Sequence, residues 1–346
     1  MRNKFLAAAA LITFIVALSA VAGTTPKGAN EVNLYSYRQE FLIKPLLDAF
    51  TRQTGIAVNV VYAKTGMLER LKAEGRNSPA DAVLTADFGR LIDLVEAGLA
   101  QPVRSPGLES NIPPQYRHPA GLWFGLTTRA RVIYAHKTRV KAGEIANYED
   151  LVAPRFKGRV CTRSGKHVYN IALLASIIAT KGVEWAEEWA RGVKANLARR
   201  PQGNDRAQVK AIYQGECDIA LGNSYYMGHM ATNDKEPEQK EWAAAVTIVF
   251  PNQKGRGTHV NVSGALVTKS AKNRDNAIAL LTFLSQPYAQ KIYAKQNFEY
   301  PVRADAPLHP LVASWGTFIA DTVNLAEVAH HRSTASKIMD RVAFDN

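Results

Sequence analysis

The chain has 346 residues, 47% of them hydrophobic and 9% aromatic, with a formal net charge of +13. Length and apolar content suffice for a large core and about two domains. The positive charge does not read as a nucleic-acid footprint. It is dispersed, with no long Lys/Arg block and no aromatic-basic RNA-binding motif, and it suits anionic ligands or an anionic membrane surface instead.

The chain opens with Arg2 and Lys4 ahead of an apolar stretch from Leu6 to Ala22. Ala20-Val21-Ala22 has the small-x-small pattern of a cleavage site, so residues 1–22 are expected to be a signal peptide cut before Gly23. No cysteine follows that site directly and no later run reaches transmembrane length, so a soluble, exported protein of the periplasm is expected. Loss of Arg2 and Lys4 lowers the net charge of +13 by two.

Strand and helix then alternate at short spacing. Residues 32–35 and 57–62 read as strands, and 42–53 as a helix with Leu46, Leu47 and Phe50 inward, stopped by Gly55. Residues 66–74 read as a short helix, 82–85 as a strand and 88–97 as a helix closed by Gly98. The pattern resumes with a strand at 159–162, helices at 170–180, 182–195 and ending at 209–213, and a strand at 218–221. Strands at 244–250 and 263–268 and helices at 274–284 and 288–296 follow. This is the signature of parallel α/β sheets. With no linker of low complexity, two lobes exchanging chain at a hinge are expected: 23–128 with 250–300, and 129–249 with 301–346.

The two cysteines, Cys161 and Cys217, would meet an oxidising compartment and are expected to form a disulfide. It would close a loop of about 57 residues and stabilise by roughly 4 kcal/mol on the chain-entropy model. Each lies eight residues before a tyrosine, Tyr169 and Tyr225, so the bridge would tie two tyrosine-bearing strands side by side.

Enzyme signatures are missing. There is no P-loop, G-x-S-x-G or H-E-x-x-H, Gly255-Arg256-Gly257 lacks a dinucleotide fingerprint, and the histidine spacings do not match a zinc site. A binding protein rather than an enzyme is expected. The distinctive feature is the pair Tyr225-Tyr226 after the turn residues Gly222-Asn223-Ser224, with Tyr169 in a similar stretch. Tyrosine pairs commonly serve as packing residues. At a strand-to-helix corner, however, three phenolates form a hard, trianionic oxygen set that neutralises one Fe3+. Arg38, at the turn into the first helix, combines a forked cation with free helix N–H groups as an anion site, and Arg129 is a second, weaker candidate.

The segments Val32 to Gln39, Ser78 to Asp81, Gly125 to Arg131, Arg163 to Gly165, Asn223 to Tyr226 and Phe298 to Pro301 together resemble the periplasmic ferric-iron-binding proteins of bacterial ABC importers. The resemblance spans the mature chain in order. It implies a two-lobed, transferrin-like fold of the type II periplasmic binding class, with the metal in the interlobe cleft. It also implies Fe3+ bound by Tyr169, Tyr225 and Tyr226, and delivery by a monomer to an ABC importer permease in the inner membrane. Members often carry a histidine, or a His-Tyr pair, where this chain has Gln39-Glu40. The chain therefore looks like a three-tyrosine subgroup that borrows an exogenous anion, expected to be carbonate or bicarbonate, held by Arg38 and Gln39. Tyr37, Glu40 and Asp87 are open candidates for approach to the metal. A binder of a small organic or oxyanion ligand, such as a phosphonate or polyamine, is the alternative on the same architecture.

Overall fold

A computed structural model describes residues 30–303 and 305–346. The expected signal peptide, 1–22, lies outside the described residues. The first stretch runs β1 (Glu31–Ser36), α1 (Glu40–Thr54), β2 (Ala57–Tyr62), α2 (Met67–Glu74), β3 (Ala82–Thr85), α3 (Phe88–Glu96), α4 (Pro106–Asn111) and β4 (Phe124–His136). The middle stretch is β5 (Val160–Cys161), α5 (Val168–Lys181), α6 (Val183–Ala195), α7 (Asp205–Tyr213), β6 (Ile219–Asn223), α8 (Tyr225–Ala231), α9 (Glu238–Ala244) and β7 (Val246–Val249). The chain returns through β8 (Val260–Val267), α10 (Arg274–Ser285), α11 (Pro287–Asn297) and β9 (Tyr300–Pro301), and continues into α12 (Pro310–Ala313), α13 (Leu325–His330) and α14 (Arg332–Arg341).

The strands follow the order β2-β1-β3-β8-β4-β6-β5, with β7 and β9 also paired to β4. Pairs β1/β2, β1/β3 and β5/β6 are parallel, as the alternating pattern predicts. The expected alternation misses β4, a 13-residue strand that joins the two halves of the sheet. Its residues Phe124 to Ala130 pair antiparallel with β8, and Arg131 to Ala135 pair antiparallel with β6. A buried strand normally reads as a nearly unbroken apolar run. Here Thr127, Thr128, Arg129 and Arg131 interrupt that run although all are buried. The Arg129 and Arg131 terminal nitrogens and the Thr127 hydroxyl find partners inside, although the Nε of each arginine has none, and a residue pattern shows neither fact.

One apolar core joins Leu34, Phe50, Leu84, Phe124, Val267 and Phe283 beneath β1, β3 and β8. Another joins Leu173, Leu174, Trp189, Ile219, Ile338 and Phe344, so α14 packs with α5 and α6. That second core also takes in Val83, Leu91 and Leu266, so apolar packing continues from one half of the sheet to the other in this two-lobed α/β molecule. Cys161 and Cys217 are joined, with Cα atoms 6.0 Å apart. The bridge lies beside the parallel register Val160–Ile219 and Cys161–Ala220, so it pins β5 to β6. Among the described residues no helix is long and apolar enough to cross a membrane.

Candidate metal centre

The tyrosines lie within the first turns of two helices rather than ahead of them. Tyr169 is the second residue of α5, and Tyr225 and Tyr226 are the first two of α8. Each helix follows a strand through a short corner. His167 caps α5 by accepting the Tyr169 N–H at its Nδ1, 3.2 Å away. Burial, followed by the Arg163 charge, pushes His167 down to about 3, so the ring stays a neutral acceptor. At the other corner Gly222 is required because Tyr134 passes beneath it: a Cβ there would come 2.1 Å from the Tyr134 ring. Tyr134 Oη in turn donates to the Asn223 carbonyl.

The corners bring the phenols together. The Oη atoms of Tyr169 and Tyr225 are 3.4 Å apart. The Tyr225 and Tyr226 rings stack with centroids 4.3 Å apart and planes 28° apart. A small octahedral cation with bonds of about 2.0–2.1 Å needs adjacent donor oxygens about 2.9 Å apart. The Tyr169–Tyr225 pair is thus within about half an ångström of a chelating separation. Burial, then the neighbouring Tyr169 and Tyr226, pushes the Tyr225 phenol well above its ordinary range. Burial, Tyr169 and Asp205 push Tyr226 up to about 12. Without a cation Tyr225 and Tyr226 are therefore held neutral. Among the described residues no group of three or more His, Cys, Asp or Glu side chains could hold a metal.

Arginines surround the phenols. The guanidinium carbons of Arg129 and Arg131 lie 5.9 Å from the Tyr169 ring centroid and that of Arg163 lies 5.2 Å away. Arg206 stands 5.1 Å from the Tyr226 ring. Beneath them the fully buried Asp205 accepts from Arg131 Nη1 at 3.0 Å, from Arg163 Nη1 at 3.2 Å and from the Asn223 backbone N–H at 2.9 Å. Asn170 Oδ1 accepts from Arg131 at 2.6 Å, while its amide donates to Thr162 Oγ1 and to the Arg163 and Ser164 carbonyls. This network connects both tyrosine corners.

Arg38 is not the free fork the sequence suggests. Its Nη2 donates to Glu299 at 2.8 and 3.0 Å and to Ser263 Oγ at 2.5 Å. Glu299 also accepts from Thr127 and Ser263, and Arg129 Nη1 donates to the same Ser263 Oγ at 2.7 Å. Burial acts to raise the Glu299 carboxyl, but Arg38 and Arg129 outweigh it and hold the group below its ordinary range. Two guanidiniums face one carboxylate, so the buried cluster keeps a surplus positive charge. The field of Arg129 reaches Tyr225, and that of Tyr225 reaches Arg38, so this cluster and the phenols share one electrostatic site.

The other candidates separate. Gln39 is exposed at the N-cap of α1, without a side-chain capping bond, and Glu40 beside it is also exposed. Asp87 is occupied: it caps α3 through the Gly89 N–H at 2.9 Å and accepts from Asn261 at 2.8 Å. Arg90 covers the Tyr37 ring at 4.3 Å, and the Tyr37 hydroxyl faces Leu68, Glu69 and Asp93. Sequence reasoning missed Asp205, Asn170, Ser263 and Glu299 as site residues. Glu299 flanks a strand end, one residue before β9, and Asp205 opens α7, whereas Asn170 inside α5 and Ser263 inside β8 carry no local signal.

A family model for bacterial extracellular solute-binding proteins matches residues 77–319. The chain belongs to that family. Its members are described as extracellular solute-binding proteins. The chain is 46% identical to iron uptake protein A1 of Synechocystis over 321 residues, covering 92% of this chain and 89% of the relative. Its fold matches the apo ferric ion-binding protein A of Pasteurella haemolytica with a TM-score of 0.86 and 48% identity, covering 92% of this chain and 99% of that one. It also matches the Trichodesmium IdiA (FutA) protein, solved in complex with iron and citrate, with a TM-score of 0.87 and 44% identity, covering 91% of this chain and 99% of that one.

Proposed function

We propose that this chain captures ferric iron in the periplasm and hands it, as a monomer, to the permease of an ABC importer in the inner membrane. Tyr169, Tyr225 and Tyr226 supply three phenolate oxygens. The observation that carries the reading is the convergence of those hydroxyls at two helix starts, with Tyr169 and Tyr225 Oη 3.4 Å apart. Fe3+ supplies the driving force to deprotonate the phenols, against the burial that raises Tyr225 and Tyr226, so capture releases protons. Iron and its phenolates sum to zero charge, and the surplus positive charge around Arg38 and Arg129 attracts an anion to the open coordination positions. Carbonate or bicarbonate suits this role, with Arg38 Nη1 and the Gln39 corner as its holders. Citrate is the competing candidate, because the Trichodesmium relative carries it. An arginine-lined cleft disfavours a polyamine ligand.

Two lobes, 23–128 with 250–300 and 129–249 with 301–346, exchange chain at a hinge in this reading, and the change of β4 partner from β8 to β6 after Ala130 supports the first crossover. No catalysis is assigned. Titration of purified protein with ferric iron, with and without bicarbonate, tests the reading. A visible phenolate-to-iron absorption saturating at one iron per chain is expected. A colourless titration would overturn it.

A further inference from the structure

We propose that Asp345 is a positioning residue for the Tyr169 phenol, and that it sets iron affinity without touching the metal; the role rests on Tyr169 being an iron ligand. Asp345 lies beyond α14, far from α5 in sequence. Its two carboxylate oxygens hold the corner that launches α5: Ser164 Oγ donates to Oδ2 at 2.5 Å, and the Gly165 N–H donates to Oδ1 at 2.7 Å. The corner is packed from the same side. A Cβ on Gly165 would come 2.6 Å from Phe344 and 2.9 Å from Met339, so the glycine lets the corner sit flush on that segment. Phe344 and Met339 are buried in the core beneath α5.

Ser164 then passes the constraint along the chain. Its carbonyl accepts from the His167 N–H at 3.1 Å and from Asn170 at 3.1 Å, and His167 in turn caps Tyr169. A carboxylate accepting two donors from one corner fixes it in direction as well as distance. The nearby Lys166–Asp340 pair, also 2.5 Å apart, joins exposed side chains and adds little. Asp345 is thus the anchored link between α14 and the Tyr169 corner. The Tyr169–Tyr225 separation must tighten by about half an ångström to chelate a small octahedral ion, so a loosened corner costs affinity directly.

The test compares wild type, Asp345→Ala, Tyr169→Phe and the double variant as full chains. Ferric iron is titrated in bicarbonate buffer against a competing chelator, with the visible spectrum recorded. Asp345→Ala is expected to weaken iron binding by about 10- to 100-fold, the range for residues that orient metal ligands. Its absorption band should move towards that of Tyr169→Phe, and the double variant should bind like Tyr169→Phe alone. Thermal unfolding of the apo forms checks folding. If Asp345→Ala does not fold, Ser164→Ala, which removes one donor from the same link, replaces it with the same expectations. Unchanged affinity, or an equal loss with and without the Tyr169 hydroxyl, overturns the positioning role. A wild type without the visible band overturns the iron reading itself. A normal wild type with an unaffected Tyr169→Phe overturns the Tyr169 assignment on which the role depends.

Discussion

At the scale of single residues, the proposed site depends on phenols that surrender their protons to a cation. Removing one hydroxyl while keeping its ring isolates that chemistry. Tyr225→Phe and Tyr226→Phe should each lower iron affinity by orders of magnitude while leaving apo unfolding nearly unchanged, as competition titration and thermal melts would show. Normal titration in both would instead assign the rings to packing. The pH dependence has opposite signs in the two states. With iron present, protons compete for the phenolates, so occupancy should fall as pH is lowered, and a pH-stat should record proton release on binding. In the apo protein Tyr226 is raised from an ordinary value near 10 to about 12. Its contribution to stability is fully present below the unfolded value and is lost as pH rises through the folded one. Apo stability should therefore decline from about pH 10 upwards, and less steeply in Tyr226→Phe.

At the scale of elements, the two helix starts are held in register from below. The disulfide pins β5 to β6, and Asp205 joins the residues that precede α5 and α8. Thiol titration of denatured, unreduced protein should find no free thiol, and two would refute the bridge. Replacing both cysteines by serine should lower the unfolding free energy by about 4 kcal/mol on the chain-entropy model, with the two buried hydroxyls adding to the loss, read from urea midpoints. Most of these elements were legible. The alternation of strand and helix, the glycine stops and the corner before Tyr225 all follow from local chemistry. Strand β4 was not legible, because Arg129 and Arg131 look like surface residues until their partners are placed.

At the scale of the whole molecule, the Arg38–Glu299 pair joins the start of α1 to the approach to β9, with Ser263 of β8 and Thr127 of β4 completing the cluster. Removing one partner of a buried pair leaves the other charge uncompensated, at a cost of about 3–5 kcal/mol. Glu299→Gln should destabilise the apo protein by that order in urea unfolding. Bicarbonate should recover part of the loss, because an added anion can face Arg38 and Arg129. No recovery would argue against an anion beside this cluster. Because the Glu299 carboxyl is held below its ordinary range, its contribution is present above the unfolded value near 4.3 and is lost as pH falls through the lower folded one. The wild type should thus lose stability in acid more steeply than Glu299→Gln.

What the sequence determined by itself was local and compositional. The periodicities, the paired tyrosines after a turn, the two cysteines and the absence of enzyme motifs are readable because each depends on neighbours a few residues away. Tyr169, Tyr225 and Tyr226 could be proposed as a set because phenolates at strand-to-helix corners make a hard oxygen donor group and because the surrounding segments resemble ferric-iron binders. Tertiary structure alone decided what surrounds them. Arg38 looked free because its partner, Glu299, is 261 positions away, and Asp345 meets Gly165 across 180. Whether a buried charge is available to a ligand or already paired depends on such contacts, and no local pattern encodes them.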